Sequence, residues 1–358
     1  MLPHRDASHR ETPTLLMKKI ICIEGATGSG KSDLALELAR LLDTEIISAD
    51  SRQVYKYLNI GTAKPNPDVL SEIKHHLIDI ITPDAKYNAG TFVKDAEKLI
   101  DNINKSNKIP IVCGGSMLYI KSLLEGISKI PDVDDESKAK TVEFMNTQSL
   151  EECYRFVKKI DPKFADNISP TDKQRISRVI EIWFAFGKGL TDFWIEDDTT
   201  IEILPYKIYI NKERSILYND INKRMRNMID KGLINEIESV LAMGYKPTDP
   251  GFNSVGYKEF VEVLRRGVAK NELHPMKPLT KSPDEVPYAE GIPDGVPYVS
   301  PAKPLSLNEC IELASQHTRN YAKRQITWYR KCSFDCEVSN SNINIKKIFE
   351  NIMKHFEI

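Results

Sequence analysis

A parallel α/β sheet flanked by helices, with a helical insertion, is the fold class that this sequence predicts, on three observations. The stretch IEGATGSGKS (23–32) fits the pattern of four residues between a Gly and a Gly-Lys-Ser, and it follows a β-branched run, KKIICIEG. The next residues, SDLALELARLL, repeat apolar side chains at helical spacing. Two further strand-like runs, TEIISAD and IPIVCGG, alternate with helical patterns, as β-α units of a parallel sheet do. Strand, glycine-rich loop and helix in that order are the context a phosphate loop needs, so the expected architecture is P-loop NTPase-like.

The elements follow in order. After TEIISAD comes a helix around 90–104, then the strand IPIVCGG and the helix SMLYIKSLLEG. Residues 131–203 turn helical and charged, with capping residues at 169–172, and read as an insertion. YKIYI (206–210) alternates like a strand and should return to the sheet, so 18–130 and 204–265 make the P-loop core. Residues 213–243 read as one long amphipathic helix. Residues 266–305 hold eight of the 20 prolines and the tripeptide VPY twice; they read as a Pro-rich surface insertion in extended or polyproline form. A helix over about 306–331 and a short tail helix follow, so 306–358 should pack on the core.

Composition narrows the function classes. A chain of 358 residues, 41% hydrophobic, can bury a large core in one domain or two. With a net charge of -1, any nucleic-acid partner needs a local basic patch. The six cysteines stand in apolar or helical contexts, which points to reduced thiols in a cytoplasmic protein. No run is long and apolar enough for a membrane span. Residues 1–17 read as a disordered tail without a secretory core, and Met17 is an alternative start.

The candidate chemistry gathers at strand ends. In the loop of Gly25, Ala26, Thr27, Gly28, Ser29, Gly30, Lys31 and Ser32, successive backbone N–H groups can converge on phosphate oxygens at a helix N-terminus. Lys31 adds a point charge and Ser32 can hold Mg²⁺. Asp50 ends the next strand pattern, and three readings are open: a metal holder, a base at the ligand-binding edge of the sheet, or a helix N-cap. Ser116, after Gly114 and Gly115, either touches substrate or caps a helix. These residues leave open whether the phosphates belong to a nucleotide to be hydrolysed or to a leaving group.

The chain resembles one family closely, the tRNA dimethylallyltransferases. The matching pieces are GATGSGKS (25–32), ISADSRQVYKYLNIGTAKP (47–65), HHLIDI (75–80), PIVCGGSMLYIKSLLEG (110–126), DKQRISRVIEI (172–182), SVGYKEF (254–260) and AKRQITWYRK (322–331). The resemblance implies transfer of the dimethylallyl group from dimethylallyl diphosphate to N6 of an adenosine. That adenosine is 3′-adjacent to the anticodon in tRNAs reading codons that begin with U. It implies that the loop holds the diphosphate with Mg²⁺, that Asp50 is the base, and that Ser116, where many members have Thr, assists the leaving oxygen. For the tRNA anticodon stem-loop it implies contacts from Asp50, Ser51, Arg52, Gln53 and Ser116, with Gln53 offering its amide to the flipped base. It adds Lys138, the helix start Gln174, Arg175, Ile176, Ser177 and Arg178, and Lys323, Arg324 and Gln325 of the last long helix. It suggests a monomer. Three features depart from the family's pattern: neutral Asn253 where bacterial members often have Arg, the length of 266–305, and Cys332 and Cys336 without the second half of a zinc site. The rivals are an adenylate isopentenyltransferase acting on free AMP, ADP or ATP, a small-molecule kinase, and a non-catalytic RNA-binding module.

Overall fold

The computed structural model describes residues 17–128, 130–194, 203–265 and 306–358. Residues 1–16 of the expected tail and the Pro-rich segment 266–305 lie outside them. The described chain forms two compact units, 17–126 with 203–265 and 306–358, and 127–194.

The first unit is built on a six-stranded sheet: β1 (Lys18–Gly25), β2 (Ile46–Ser48), β3 (His75–His76), β4 (Ile111–Cys113), β5 (Ile203–Asn211) and β6 (Cys336–Ser339). Its order is β3-β2-β4-β1-β5-β6, with every neighbouring pair parallel. The helices before the second unit are α1 (Lys31–Leu41), α2 (Pro67–Glu72), α3 (Ala89–Lys105) and α4 (Met117–Glu125). The second unit holds α5 (Asp135–Thr147), α6 (Leu150–Ile160), α7 (Pro162–Ala165) and α8 (Lys173–Phe186). The chain then returns through β5 to α9 (Arg214–Asp230), α10 (Leu233–Ala242), α11 (Lys258–Arg265), α12 (Leu307–Tyr329) and α13 (Ile345–Phe356).

Alternation along β1 explains the layers. Ile20 and Cys22 pack with Phe92, Ala96 and Ile100 of α3 and Ile120 and Leu123 of α4. Ile21 and Ile23 face the other way, onto Leu34 and Leu38 of α1 and Ile348 and Ile352 of α13. A strand stretch buried on both faces must be apolar, as Ile20, Ile21, Cys22 and Ile23 are here between Lys19 and Glu24. A third core joins Val54, Tyr55 and Leu58 to Leu233, Ile237, Phe252, Tyr257 and Phe260.

Two expectations need correction. The single helix over 213–243 is two helices, α9 and α10, broken at Gly232, which takes a left-handed φ of 93° that glycine adopts without strain. The segment Cys336–Ser339, which the sequence did not mark, is a sixth strand paired with β5.

In the second unit, Cys153 and Val157 of α6 pack on Ile176, Val179 and Ile180 of α8. Asp161 is buried and satisfied: its carboxylate accepts from Phe164 N at 3.0 Å, Thr191 N at 2.9 Å and Thr191 Oγ1 at 2.7 Å.

Candidate active site

Ligands of open α/β sheets bind outside the carboxyl ends of the strands. Here β1, β2 and β4 deliver the phosphate loop, Asp50 and the Gly114-Gly115-Ser116 turn to that edge.

The phosphate loop is held from several sides. Gly30 caps α1 at a left-handed φ of 96° with no side-chain cap, which leaves the first amides of the helix to an anion. Thr27 N donates to Gln325 Oε1 at 2.8 Å, and Asn340 Nδ2 donates to Ser29 O at 2.6 Å. Lys212 Nζ donates to Gly28 O at 3.1 Å and pairs with Asp220 at 2.6 Å. The Lys31 ammonium folds back to donate to Ala26 O at 2.8 Å, and burial pushes its pKa down to about 8. The charges nearest it include Asp50, Arg224 and Glu24.

Asp50 and Ser116 are brought together by backbone contact. Ala49 N donates to Cys113 O at 2.8 Å and Ser116 N to Ala49 O at 3.2 Å. A Cβ at Gly114 would stand 2.1 Å from Ala49 O, so only glycine lets these two chain segments touch. Asp50 Oδ1 accepts from Arg52 N at 2.8 Å and Gln53 N at 3.4 Å, so this carboxylate caps a turn and not a helix, since no helix begins at 51–54. Its Oδ2 makes no hydrogen bond among the described residues. The Ser116 hydroxyl is no helix cap: Oγ accepts from Ser51 N at 2.9 Å, which leaves its proton to donate elsewhere.

Sequence reasoning missed Arg224. This α9 guanidinium is half-buried, and its desolvation lowers its pKa against the charge of Asp50. It makes no hydrogen bond among the described residues. The signal was available: Arg224 lies three residues from Ile221 on a helix whose Ile221, Met225 and Met228 are buried, so it is on the inward face. A half-buried cation with unused donors, near enough to Lys31 to depress its pKa, could receive an anion.

Glu24 is also buried, 4% exposed, one residue before the loop. Burial raises its carboxyl to about 7, against the charges of Lys207 and Lys31.

Several residues expected to meet RNA are placed otherwise. Gln325 is fully buried; it accepts from Thr27 N and donates through Nε2 to Gly115 O at 2.8 Å, joining the two glycine turns. Gln53 turns inward: Oε1 accepts from Ser48 Oγ at 2.9 Å, and Nε2 donates to Ala63 O at 3.3 Å. Ile176 is 0% exposed in the core of the second unit, since it lies on the apolar face of α8. Arg52 reaches Pro250 O at 3.2 Å. Lys323 and Arg324 are exposed on α12, where Arg324 lies over the Tyr321 ring. In the second unit Gln174 is exposed and Ser177 half-buried. Lys138 pairs with Asp135 at 2.7 Å, Arg175 with Asp172 at 3.5 Å and Arg178 with Glu181 at 3.2 Å, all at helix surfaces.

The model of the IPP transferase family matches residues 53–332. The chain belongs to that family. This IPP transferase is 36% identical over 316 residues to tRNA dimethylallyltransferase 2 of Geotalea uraniireducens, covering 87% of this chain and 89% of that one. It is 35% identical over 351 residues to the tRNA dimethylallyltransferase of Alkaliphilus metalliredigens, covering 96% and 100%. Among solved structures it is similar to the full-length tRNA isopentenylpyrophosphate transferase of Bacillus halodurans, with TM-score 0.63, 26% identity and coverage of 95% and 97%. The matched range runs through the second unit to the end of α12.

Proposed function

We infer that this chain transfers the dimethylallyl group of dimethylallyl diphosphate to N6 of an adenosine in tRNA, 3′-adjacent to the anticodon of tRNAs reading codons that begin with U. The observation that carries the reading is an open carboxylate oxygen, Asp50 Oδ2, at the same strand-end edge as the phosphate loop, with the half-buried Lys31 and Arg224 close enough to interact electrostatically with Asp50. A phosphoryl acceptor also loses a proton to a carboxylate base, so it is the match to the IPP transferase family and its tRNA dimethylallyltransferase relatives that favours prenyl transfer over phosphoryl transfer.

Adenine N6 is a poor nucleophile because its lone pair is delocalised into the ring. As the N6–C bond forms, Asp50 accepts the departing proton. The C–O bond to the diphosphate breaks, and its electron pair leaves with the diphosphate. Lys31, Arg224 and the α1 N-terminal amides stabilise the charge that develops. Ser116 donates its free hydroxyl proton to the oxygen that bridged carbon and phosphorus. Ser32 is exposed in the first turn of α1 with no hydrogen bond to its hydroxyl among the described residues, and no cluster of three or more His, Cys, Asp or Glu there could cage a metal. That donor set suits Mg²⁺, which one hydroxyl and the diphosphate oxygens would hold and which would add charge to the leaving group.

For the RNA, the stem-loop phosphates are met by Lys323 and Arg324 on α12, and by Lys138, Arg175 and Arg178, with Gln174 and Ser177, in the helical unit. The test offers radiolabelled dimethylallyl diphosphate and Mg²⁺ with three separate acceptors: an unmodified anticodon stem-loop, AMP and ATP. Label on the stem-loop alone is expected. Label on AMP or ATP would make this an adenylate isopentenyltransferase and withdraw the RNA contacts.

A further inference from the structure

Two stretches that the reaction leaves without a task, NIGTAKP and SVGYKEF, meet at one carboxylate. Glu236, on α10, accepts through Oε2 from Asn59 N at 2.9 Å and Ile60 N at 2.8 Å. Its Oε1 accepts from the Tyr257 hydroxyl at 2.6 Å, and that hydroxyl accepts from Gly61 N at 3.0 Å. One carboxylate and one phenol thus take up three consecutive backbone amides. The ring of Tyr257 lies so close that a Cβ at Gly61 would stand 2.5 Å from it.

What the clamp holds is tied to Asp50. The carbonyl of Ala63 accepts from Gln53 Nε2, Ser48 Oγ donates to Gln53 Oε1, and Gln53 N donates to Asp50 Oδ1. Lys64 adds a second tie, donating to Tyr55 O at 2.5 Å and Asn59 Oδ1 at 2.9 Å and pairing with Asp79. The segment needs such ties: Tyr57 and Ala63 stand at left-handed φ of 69° and 50°, which residues with a Cβ keep only when their surroundings over-determine them. Nothing within residues 50–64 supplies the carboxylate or the phenol; both come from α10 and the turn before α11.

We propose that Glu236 and Tyr257 are positioning residues for catalysis, which hold loop 59–63 and through Gln53 fix the turn that aims Asp50. This rests on Asp50 being the base. Neither group touches the reacting atoms, so their loss should slow the chemical step and spare binding.

The experiment has two readouts. Hydrogen exchange of peptides spanning 50–64 is measured for Glu236→Gln and Tyr257→Phe at matched thermal stability. Faster exchange at the amides of 59–61 and also at Arg52 and Gln53 is expected; exchange raised at 59–61 alone would overturn the coupling. Single-turnover prenyl transfer to the stem-loop is then measured in the wild-type and Asp50→Ala backgrounds. Each variant should lower the rate on the order of 10- to 100-fold with stem-loop affinity within about threefold, since a misplacement near 1 Å costs about that much. In the Asp50→Ala background it should cause no further loss, because groups acting through one another do not add. Equal losses in both backgrounds, or a wild-type rate in Tyr257→Phe, would refute the positioning role. A wild type that transfers no label, with exchange spreading to Arg52 and Gln53, would sink the prenyl-transfer reading and leave the clamp standing.

Discussion

The unit built on the sheet draws charged groups inward around its phosphate loop, and the helical unit carries its expected RNA-contacting cations at helix surfaces. Glu24 is buried and Lys31 and Arg224 are half-buried around the phosphate loop, and the Lys64 side chain, which donates to Tyr55 O, is 3% exposed. Lys138, Arg175 and Arg178 lie on helix surfaces, each beside a carboxylate three residues away. Burying a charge costs several kcal/mol unless something compensates, so a fold keeps such a group where a ligand or a reaction needs it. Surface ion pairs contribute little and exchange readily for phosphate. Under the proposed function, the contrast separates cations that serve the diphosphate from cations that meet RNA phosphates.

Substitution of each kind sharpens that contrast. The largest effect is expected at the phosphate loop. Lys31→Ala or Arg224→Ala should lower kcat/KM for dimethylallyl diphosphate about 100- to 1,000-fold, as loss of a preorganised oxyanion donor does, with stem-loop affinity nearly unchanged. Steady-state kinetics beside a binding titration checks it, and an equal loss of RNA affinity would erase the distinction.

Glu24 comes next, through pH. Its carboxyl titrates near 7 in the folded chain against 4.5 ordinarily, so between those values the folded protein holds a proton the unfolded chain has released. Stability therefore falls as pH rises through that window, by on the order of 3 kcal/mol once pH exceeds 7. Glu24→Gln mimics the protonated form. It should match the wild type in Tm near pH 5 and exceed it at pH 8; a constant offset across that range would show that Glu24 ionises at its ordinary value.

The smallest effect belongs to the exposed pairs. Arg175→Ala with Arg178→Ala should weaken stem-loop binding several-fold and flatten its logarithmic salt slope by about 1 to 2 units, with single-turnover chemistry at saturation preserved. An unchanged salt slope would move the RNA contacts elsewhere.

Legibility in the sequence followed the same division. The phosphate loop could be placed because it is one short segment between strand and helix. Asp50 and Ser116 could be placed at the strand-end edge because each follows an apolar strand run. Residues whose roles depend on distant partners could not. Gln325 looked like one more polar residue on a basic helix, yet it bridges two turns nearly 300 and more than 200 positions away in sequence, at Thr27 and Gly115. Arg224 sat among other charges on α9, and only the burial of Ile221 and Met225 shows which way it points. β6 is four residues with alternating half-burial at a sheet edge, too short to stand out.

The central claim is that Asp50 removes a proton during transfer rather than gripping the RNA. The most direct measurement is the single-turnover rate of prenyl transfer by Asp50→Ala, at saturating dimethylallyl diphosphate, beside the Kd of the same stem-loop. A rate about 100-fold or more below the wild type with Kd within about threefold is the predicted result, because a base acts chiefly in the transition state. A Kd raised as much as the rate is lowered would contradict it and leave Asp50 a binding residue.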